Sequence, residues 1–313
     1  MNENPLVSVV IVTYNSSSTI IETLESIKSQ TYQNLELIVS DDCSSDNTIE
    51  VVKSWLKDNA LRFNKADLLK VSKNTGVSGN INRGVFSSHG KWVKTLAGDD
   101  LLMPTAIDEY MRFVLSHPNS VKMCVSDVEL FSEDEPISPE LIEIYDVFFK
   151  KEQEPYEQQY RRVCKELVFV GPGYFYSREL FDEIGGCSEK YEMLDEWPLV
   201  YKVLKKGYQI YPINKKLVKY RISNSSLCRV QDEKGLGNKR LFLSIYQFFF
   251  GELLGDLIKS KRYLLAWDLS LYYKTQYIRY NIKNVLIADS LYKLGRLASP
   301  LWWIRKVKHE EDN

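Results

Sequence analysis

A chain of 313 residues, 44% hydrophobic and 27% charged, has room for a sizeable core in one large domain, or in one domain with an appendage. Its formal net charge of −1 argues against whole-molecule attraction to nucleic acid, so any charge-seeking partner must be met by a local patch. Five cysteines (Cys43, Cys124, Cys164, Cys187, Cys228) form no CxxC pair and three histidines (His89, His117, His309) lie far apart, which argues against a zinc site or a disulfide framework and suits a reducing cytoplasm. The opening "MNENPLVSVV" has neither a basic n-region nor a long apolar h-region, so no signal peptide is expected. No run of about 18 uncharged apolar residues occurs, so no spanning helix is expected either.

In chain order, "LVSVVIVTY" (Leu6–Tyr14) is a continuous β-branched run, as a strand buried on both faces requires. The serines Ser16 to Ser18 offer an N-cap, and Ile20, Leu24 and Ile27 then fall at helical spacing up to Gln30. "LELIVSDD" (Leu35–Asp42) reads as a second buried strand, and "DNTIEVVKSWLKDN" as a helix with Ile49, Val52 and Leu56 inward. "DLLKVSKN" is a third strand, Val77 to Ser88 a short helix, and "KWVKTLAGDD" a fourth strand. "PTAIDEYMRFVLSHP" makes a helix with Pro104 near its first turn, and "SVKMCVSD" a fifth strand. This alternation predicts an α/β, Rossmann-like half with a mostly parallel sheet, whose ligands bind beyond the carboxyl ends of the strands. Four polar segments stand at those ends: "TYNSSS", "DDCSSDN", "KNTGVSGN" and "GDD".

From Phe131 to Glu166 the chain turns acidic and irregular and reads as an insertion or mobile loop. Order resumes at "LVFVGPGYFYSRELFDEIGG", followed by the helix "DEWPLVYKVLKKGY" and two strand-like runs, "YQIYPIN" and "KLVKYRI". From about Gly235 the pattern is helical and rich in aromatic residues, so a domain boundary is expected there.

Three acidic pairs stand out, each with an ordinary explanation beside a chemical one. Asp99–Asp100 could be turn residues after Gly98, or carboxylates gathered for a hard divalent cation. Asp41–Asp42 precede Ser44, Ser45 and Asp46, which can cap the next helix, yet a carboxylate at this edge also accepts from a base N–H or a sugar hydroxyl. Asp195–Glu196 suit the positive end of a helix with Pro198 near N1, and a carboxylate there could equally serve as a general base. No GxGxxG or GxxxxGK[ST] loop occurs, and "GVSGNINRG" has the wrong spacing, so no glycine cradle holds a nucleotide here.

Taken together, "VSVVIVTYN", "LELIVSDDCSSDNT", "NTGVSGNINRG", "GKWVKTLAGDDLLMP" and "LDEWP" resemble the ordered signature of family 2 glycosyltransferases, over roughly residues 5–225. The resemblance implies a GT-A fold over residues 1–234, with a nucleotide-sugar half to about 127 and an acceptor half from about 128, and then a helical C-terminal region, 235–313. It implies that Thr13, Tyr14, Asn15 and Asp42 hold base and ribose, with Asn74, Arg83 and Asp99 also on the nucleotide. Asp100 and Asp99 would bind Mn²⁺ or Mg²⁺, with Asp100 as the direct ligand. Glu196, the residue before Trp197, would deprotonate the acceptor hydroxyl, with Asp195 in reserve. The implied activity is metal-dependent, inverting transfer from a nucleotide-sugar, UDP-linked, to a glycan or lipid-linked acceptor in bacterial surface polysaccharide assembly.

Three departures from the family pattern bear on the site. The acids run Asp–Glu rather than Glu–Asp, Ile81 replaces an Arg with Arg83 two positions on, and "YRIS" puts Ser223 where a metal-assisting His can stand. The C-terminal run Val285 to Lys308 mixes aromatics with Lys293, Arg296, Arg305, Lys306 and Lys308. It suits packing on the sheet, a second copy, or peripheral contact with the inner face of the plasma membrane by an otherwise cytoplasmic protein. Two rival classes share the layout: a nucleotidyltransferase, against which the absence of Lys and Arg from "TYNSSSTI" counts, and a non-catalytic nucleotide- or glycan-binding protein.

Overall fold

The computed structural model describes residues 4–117, 120–133, 136–139, 141–142, 154–167, 171–223, 238–282 and 285–299. The chain divides into two compact units, Met1–Lys190 with Asp195–Asn224, and Tyr191–Leu194 with Ser225–Asn313.

The first unit is built on a sheet whose opening strands follow from their side chains. β1 (Val7–Thr13) and β2 (Leu35–Asp41) are buried along almost their whole length. They lie between helices as central parallel strands must. β1 pairs in parallel with both β2 and β4 (Trp92–Ala97), and β2 pairs in parallel with β3 (Lys65–Lys70). Their register sets Thr13 beside Asp41, Asp41 beside Lys70, and Val12 beside Ala97. The carboxyl ends are therefore flush, and the four polar segments predicted at those ends leave the sheet along one edge.

The helices confirm the predicted faces with two adjustments. α1 (Ile20–Lys28) buries Ile20, Leu24 and Ile27. No serine side chain caps it; instead the Ser16 carbonyl accepts the N–H groups of Thr19 and Ile20. α2 (Thr48–Asn59) buries Val52 and packs the half-buried Leu56 against the core, as expected, but Trp55 goes inward as well, and Ile49 is only half-buried. The large indole fills more of the core and its N–H still reaches Glu25 Oε1 at 2.6 Å. The N-cap position is Asn47, which makes no side-chain cap; Asp46, one residue before it, accepts the Thr48 N–H on its Oδ1 at 3.0 Å. α3 (Gly76–Phe86) and α4 (Ala106–Ser116) complete this half.

Beyond β4 the sheet is mixed. Among the described residues it has eight strands, in the order β3-β2-β1-β4-β7-β6-β8-β5, where β5 is Leu101–Leu102, β6 Met123–Phe131, β7 Tyr174–Ser177 and β8 Ile210–Arg221. β7 runs antiparallel between β4 and β6, so the expected fifth parallel strand does not neighbour the fourth. The two strand-like runs near residue 213 are one strand, β8, parallel to β6. Its register slips opposite Ser126 and Asp127, where the exposed Asn214, Lys215 and Lys216 stand, so a bulge interrupts the apolar pattern without ending the strand. A stack of Trp92, Phe175 and Tyr110 fills the core across this junction, with ring centroids 5.4 and 4.8 Å apart. Part of the acidic stretch is helical, α5 (Tyr156–Val163), while residues 143–153 lie outside the described residues. α6 (Arg178–Glu183) and α7 (Glu196–Lys205) flank the mixed half.

The second unit is helical: α8 (Lys239–Phe248), a π-helical turn (Phe249–Leu253), α9 (Leu254–Lys259), α10 (Tyr263–Asn281) and α11 (Val285–Leu297). Aromatic rings knit it together, Phe249 on Tyr273 at 4.6 Å and Phe242 on Tyr280 at 4.7 Å. Against expectation, one continuous helix among the described residues, Lys239–Lys259, is long and apolar enough to cross a membrane by length and composition, with a mean hydropathy of 1.4. A run free of charge was too strict a criterion, because Glu252 and Asp256 are diluted by aromatic and aliphatic neighbours. The tail from residue 300, with its predicted basic and aromatic residues, lies outside the described residues.

Candidate active site

The loops after β1, β2 and β3 meet in one hydrogen-bonded cluster. The Thr13 carbonyl accepts the Asp42 N–H at 3.0 Å and Asn80 Nδ2 at 3.3 Å. Asn15 adopts a left-handed conformation, φ 52°, which Asn tolerates better than most residues. That turn lets its Oδ1 accept the Ser45 N–H at 2.8 Å, while its own N–H goes to Ser44 Oγ. Asp41 is spent on Ser44, accepting from its N–H and its hydroxyl. Asp42 is more fully engaged: it accepts the N–H groups of Thr75 and Gly76, the Thr75 hydroxyl, and Arg83 Nη2 at 2.9 Å. It is 2% exposed. Arg83 also reaches Asn80 Oδ1 and Thr75 Oγ1. Asn74 is exposed and accepts the Gly76 N–H at 3.1 Å. Tyr14 is exposed too, with 52% of its surface in solvent. The structure thus brings the predicted nucleotide residues together, and adds Thr75 and Asn80 as the links between them.

The acids after β4 are held differently. Gly98 makes its close approach possible, since a Cβ there would stand 2.9 Å from Thr13 Oγ1. The turn closes with the Asp100 N–H on the Ala97 carbonyl. Asp100 is buried; its Oδ1 accepts the Arg221 N–H at 3.0 Å, and its Oδ2 is sealed from solvent without a hydrogen-bond partner. Asp99 is half-buried. Its carbonyl accepts Arg221 Nε at 2.9 Å, and that guanidinium also pairs with Glu22 and Glu133 and lies over the Phe131 ring. Burial pushes both carboxyls above the ordinary carboxylate range, and the Asp99 charge pushes Asp100 further.

A lysine that the sequence reading passed over lies beneath them. Lys94 points into the interior from the middle of β4, and its Nζ donates to the carbonyls of Pro172, Tyr174 and Thr95. Burial lowers it to about 7, against the pull of Asp100. A charged residue inside the apolar run "WVKTLA" was the signal that could have revealed it.

Glu196 opens α7, with Asp195 at the N-cap position making no side-chain cap. Its carboxylate accepts the Gly171 N–H. The fit is close enough that a Cβ on Gly171 would come within 2.3 Å of Glu196 Oε1. Burial raises Glu196 to about 8, helped by the charges of Asp195 and Asp100, so the acids after β4 and the acid opening α7 share one electrostatic neighbourhood. Asp195 is raised by burial too and is steadied by its own N–H and that of Glu196. Trp197 anchors the turn, its indole N–H donating to the Val163 carbonyl at 2.7 Å. Just before it, Tyr191–Leu194 belong to the helical unit. Tyr191 packs edge-on against Phe248 and bonds Glu252, the Met193 N–H donates to Ser244 Oγ, and Glu192 pairs with Arg240.

Among the described residues no group of three or more His, Cys, Asp or Glu side chains is arranged to hold a metal ion. Asp99 and Asp100 nevertheless suit a cation that takes part of its shell from a bound diphosphate and water. Two adjacent carboxyls, one half-buried and one buried with an orphaned oxygen, are stabilised by positive charge, and Ser223 adds no acid or imidazole to them.

A Rossmann-like parallel half, a mixed second half, and acids clustered where the two meet define the GT-A class of glycosyltransferase folds. Residues 8–185, more than half of the chain, match the model of Glycosyl transferase family 2, and the chain belongs to that family. Among curated relatives it is 34% identical over 109 residues to the E. coli UDP-Glc:α-D-GlcNAc-diphosphoundecaprenol β-1,3-glucosyltransferase WfaP, a match spanning 35% of this chain and 41% of WfaP. Among solved structures, S. aureus TarS 1–349 in complex with UDP-GlcNAc aligns with a TM-score of 0.64 at 16% identity, over 94% of this chain and 81% of that one. The mannosyltransferase PcManGT of Pyrobaculum calidifontis, in complex with GDP-Man and Mn²⁺, aligns with a TM-score of 0.59 at 18% identity, over 82% of this chain and 65% of its own. At these identities the structures share the fold. Family membership stands against the nucleotidyltransferase alternative.

Proposed function

We propose that the protein is a metal-dependent, inverting glycosyltransferase that moves a sugar from a UDP-sugar to a hydroxyl of a lipid-linked glycan during surface polysaccharide assembly, at the inner face of the plasma membrane. The observation that carries this reading is the acid centre: Asp99, Asp100 and Glu196 are all raised in pKa by burial, Asp100 is buried with its Oδ2 unpartnered, and Asp99 and Glu196 are half-buried, beside the strand edge where nucleotides bind in such sheets. The donor and acceptor classes are taken from the relatives, WfaP for a UDP-sugar and a lipid diphosphate and TarS for UDP-GlcNAc.

Asp100, expected from the sequence to be the direct ligand, is buried, so the leading contact with Mn²⁺ or Mg²⁺ is assigned instead to Asp99, whose carboxylate is the more open, with Asp100 as the second carboxylate. The cation supplies positive charge against the diphosphate leaving group. Thr13, Tyr14, Asn15 and Asn74 line the nucleotide side, while Asp42 holds Arg83 and the Thr75–Gly76 turn as its wall. Glu196, held by the Gly171 N–H, accepts the proton of the acceptor hydroxyl. That oxygen then forms a bond to the anomeric carbon as the bond to the diphosphate breaks on the opposite face, which inverts the configuration.

The test is transfer from UDP-sugars to a synthetic polyprenyl-diphosphate-linked sugar in the presence of Mn²⁺, with the product linkage read by NMR. The reading expects release of UDP and an inverted linkage. A retained linkage would overturn the mechanism, and transfer only from GDP- or dTDP-sugars would overturn the donor.

A further inference from the structure

The outward face of α10 reverses the usual arrangement. A helix packed on a protein core buries its apolar stripe and shows solvent its polar one. Here Tyr263, Leu264, Trp267, Tyr277 and Ile278 are all exposed, Trp267 by 64%. At about 100° per residue their positions fall within one side of the helix, with the exposed Lys274 in their midst. Ile258, at the end of α9, is exposed as well, just before the turn that enters α10.

The charges around this face are of one sign. Between Leu253 and Asn281 the acids are Asp256 and Asp268, and both are buried. Asp268 is occupied by Ser299. Lys259, Lys261 and Lys274 are exposed, and Arg262 and Arg279 are half-buried, Arg279 paired with Asp289 of α11. Every exposed charge on this stretch is therefore positive, in a chain whose net charge is −1.

We propose that this face of α10, with the Lys259–Arg262 turn, docks on an anionic lipid bilayer. Tyr and Trp suit the headgroup level, and leucine and isoleucine reach the acyl boundary beneath it. The lysines meet lipid phosphates, which supply the opposite charge that the protein does not offer here. A second copy of the chain fits less well, because pairing the same face would set lysines against lysines, with no exposed acid in the Leu253–Asn281 stretch to answer them. The site gives the bilayer contact of the proposed function a location, yet it stands on this face alone and is tested without activity.

The test is flotation of the full chain with vesicles of phosphatidylcholine, with or without phosphatidylglycerol, together with Trp fluorescence and sedimentation of the free protein. The expected result is binding to the anionic vesicles alone, with a blue shift. The double variant Leu264→Ser/Trp267→Ser should bind at least about tenfold more weakly, and Lys259→Glu/Lys261→Glu/Lys274→Glu should abolish binding. These are surface positions, and unchanged thermal melting confirms that the variants fold. Absence of vesicle binding by the parent chain, or equal binding by all variants, overturns the proposal. A dimer that the Leu264→Ser/Trp267→Ser variant disrupts also overturns it, by giving the face to a second copy.

Discussion

Two stretches of the same sheet edge treat their carboxylates in opposite ways. Around Asp42 and Arg83 the polar groups have protein partners, Asp42 alone gathering four donors, and the one buried atom left over beside them is the neutral hydroxyl Oγ1 of Thr13. Around Asp99, Asp100 and Glu196 the carboxyls are raised in pKa, and Asp100 Oδ2 is buried with no partner. A buried carboxylate that is fully bonded serves as scaffold, since hydrogen bonds to its charged form repay the loss of water. One left short is stable only when something else brings charge or donors. Both pairs look alike in sequence, and on the proposed reading the difference between them separates the wall of the site from its chemistry.

The largest effect expected from this contrast is at Glu196. Glu196→Gln keeps the shape and the Gly171 contact but cannot take a proton, so transfer should fall by about 10²–10⁴-fold while UDP affinity is unchanged. Calorimetry beside a turnover assay checks both halves, and full turnover would remove Glu196 from the mechanism. Gly171→Ala should be next, because the added carbon would meet Glu196 Oε1 at 2.3 Å and displace it. A loss of about tenfold or more in kcat with little change in donor affinity is expected.

The pH dependence follows from the same group. The ionised form is the base, and burial holds the Glu196 proton on to about pH 8 in the free enzyme, so kcat/KM should climb with pH through that region. For stability the sign runs the other way. Its folded pKa lies above its ordinary value of 4.5, so its contribution is present below pH 4.5 and is lost as pH rises through about 8. Melting curves of the parent chain and Glu196→Gln should therefore diverge across that window, and parallel curves would contradict the raised pKa.

On the scaffold side the expected effects are on folding. Asp42→Ala strands the N–H groups of Thr75 and Gly76 and the Arg83 guanidinium, and should destabilise the chain by about 1–3 kcal/mol in urea denaturation. A substitution there that left stability intact while abolishing UDP binding would move Asp42 from the wall to the ligand. The smallest effect is expected from Tyr191→Phe, which removes one hydrogen bond to Glu252 from the segment before Asp195. A change in kcat within about threefold, measured at saturating donor, is expected.

Much of the first half was legible in the sequence because its signals are local. Buried parallel strands read as β-branched runs, and the polar segments that follow them fall in register once the strands pair in parallel. The mixed half depends on pairings distant in sequence, and nothing within "VGPGYFYS" shows that it lies between β4 and β6. β8 was divided in two because a bulge exposes three consecutive polar residues. The acid residues themselves were visible, but their state was not. That Asp42 is spent on Arg83, that Asp100 lies behind Asp99, and that Lys94 lies beneath them all follow from burial and partners, which residue type does not reveal.

The measurement that tests the central claim most directly is titration of the full chain with UDP, in Mn²⁺ and again in EDTA, for the parent and for Asp99→Ala. The account predicts binding in Mn²⁺ that weakens at least about tenfold in EDTA and equally in the variant, as loss of a cation bridging carboxylate and diphosphate requires. Equal affinity in all of these conditions would contradict it, and would leave the acid centre without its metal.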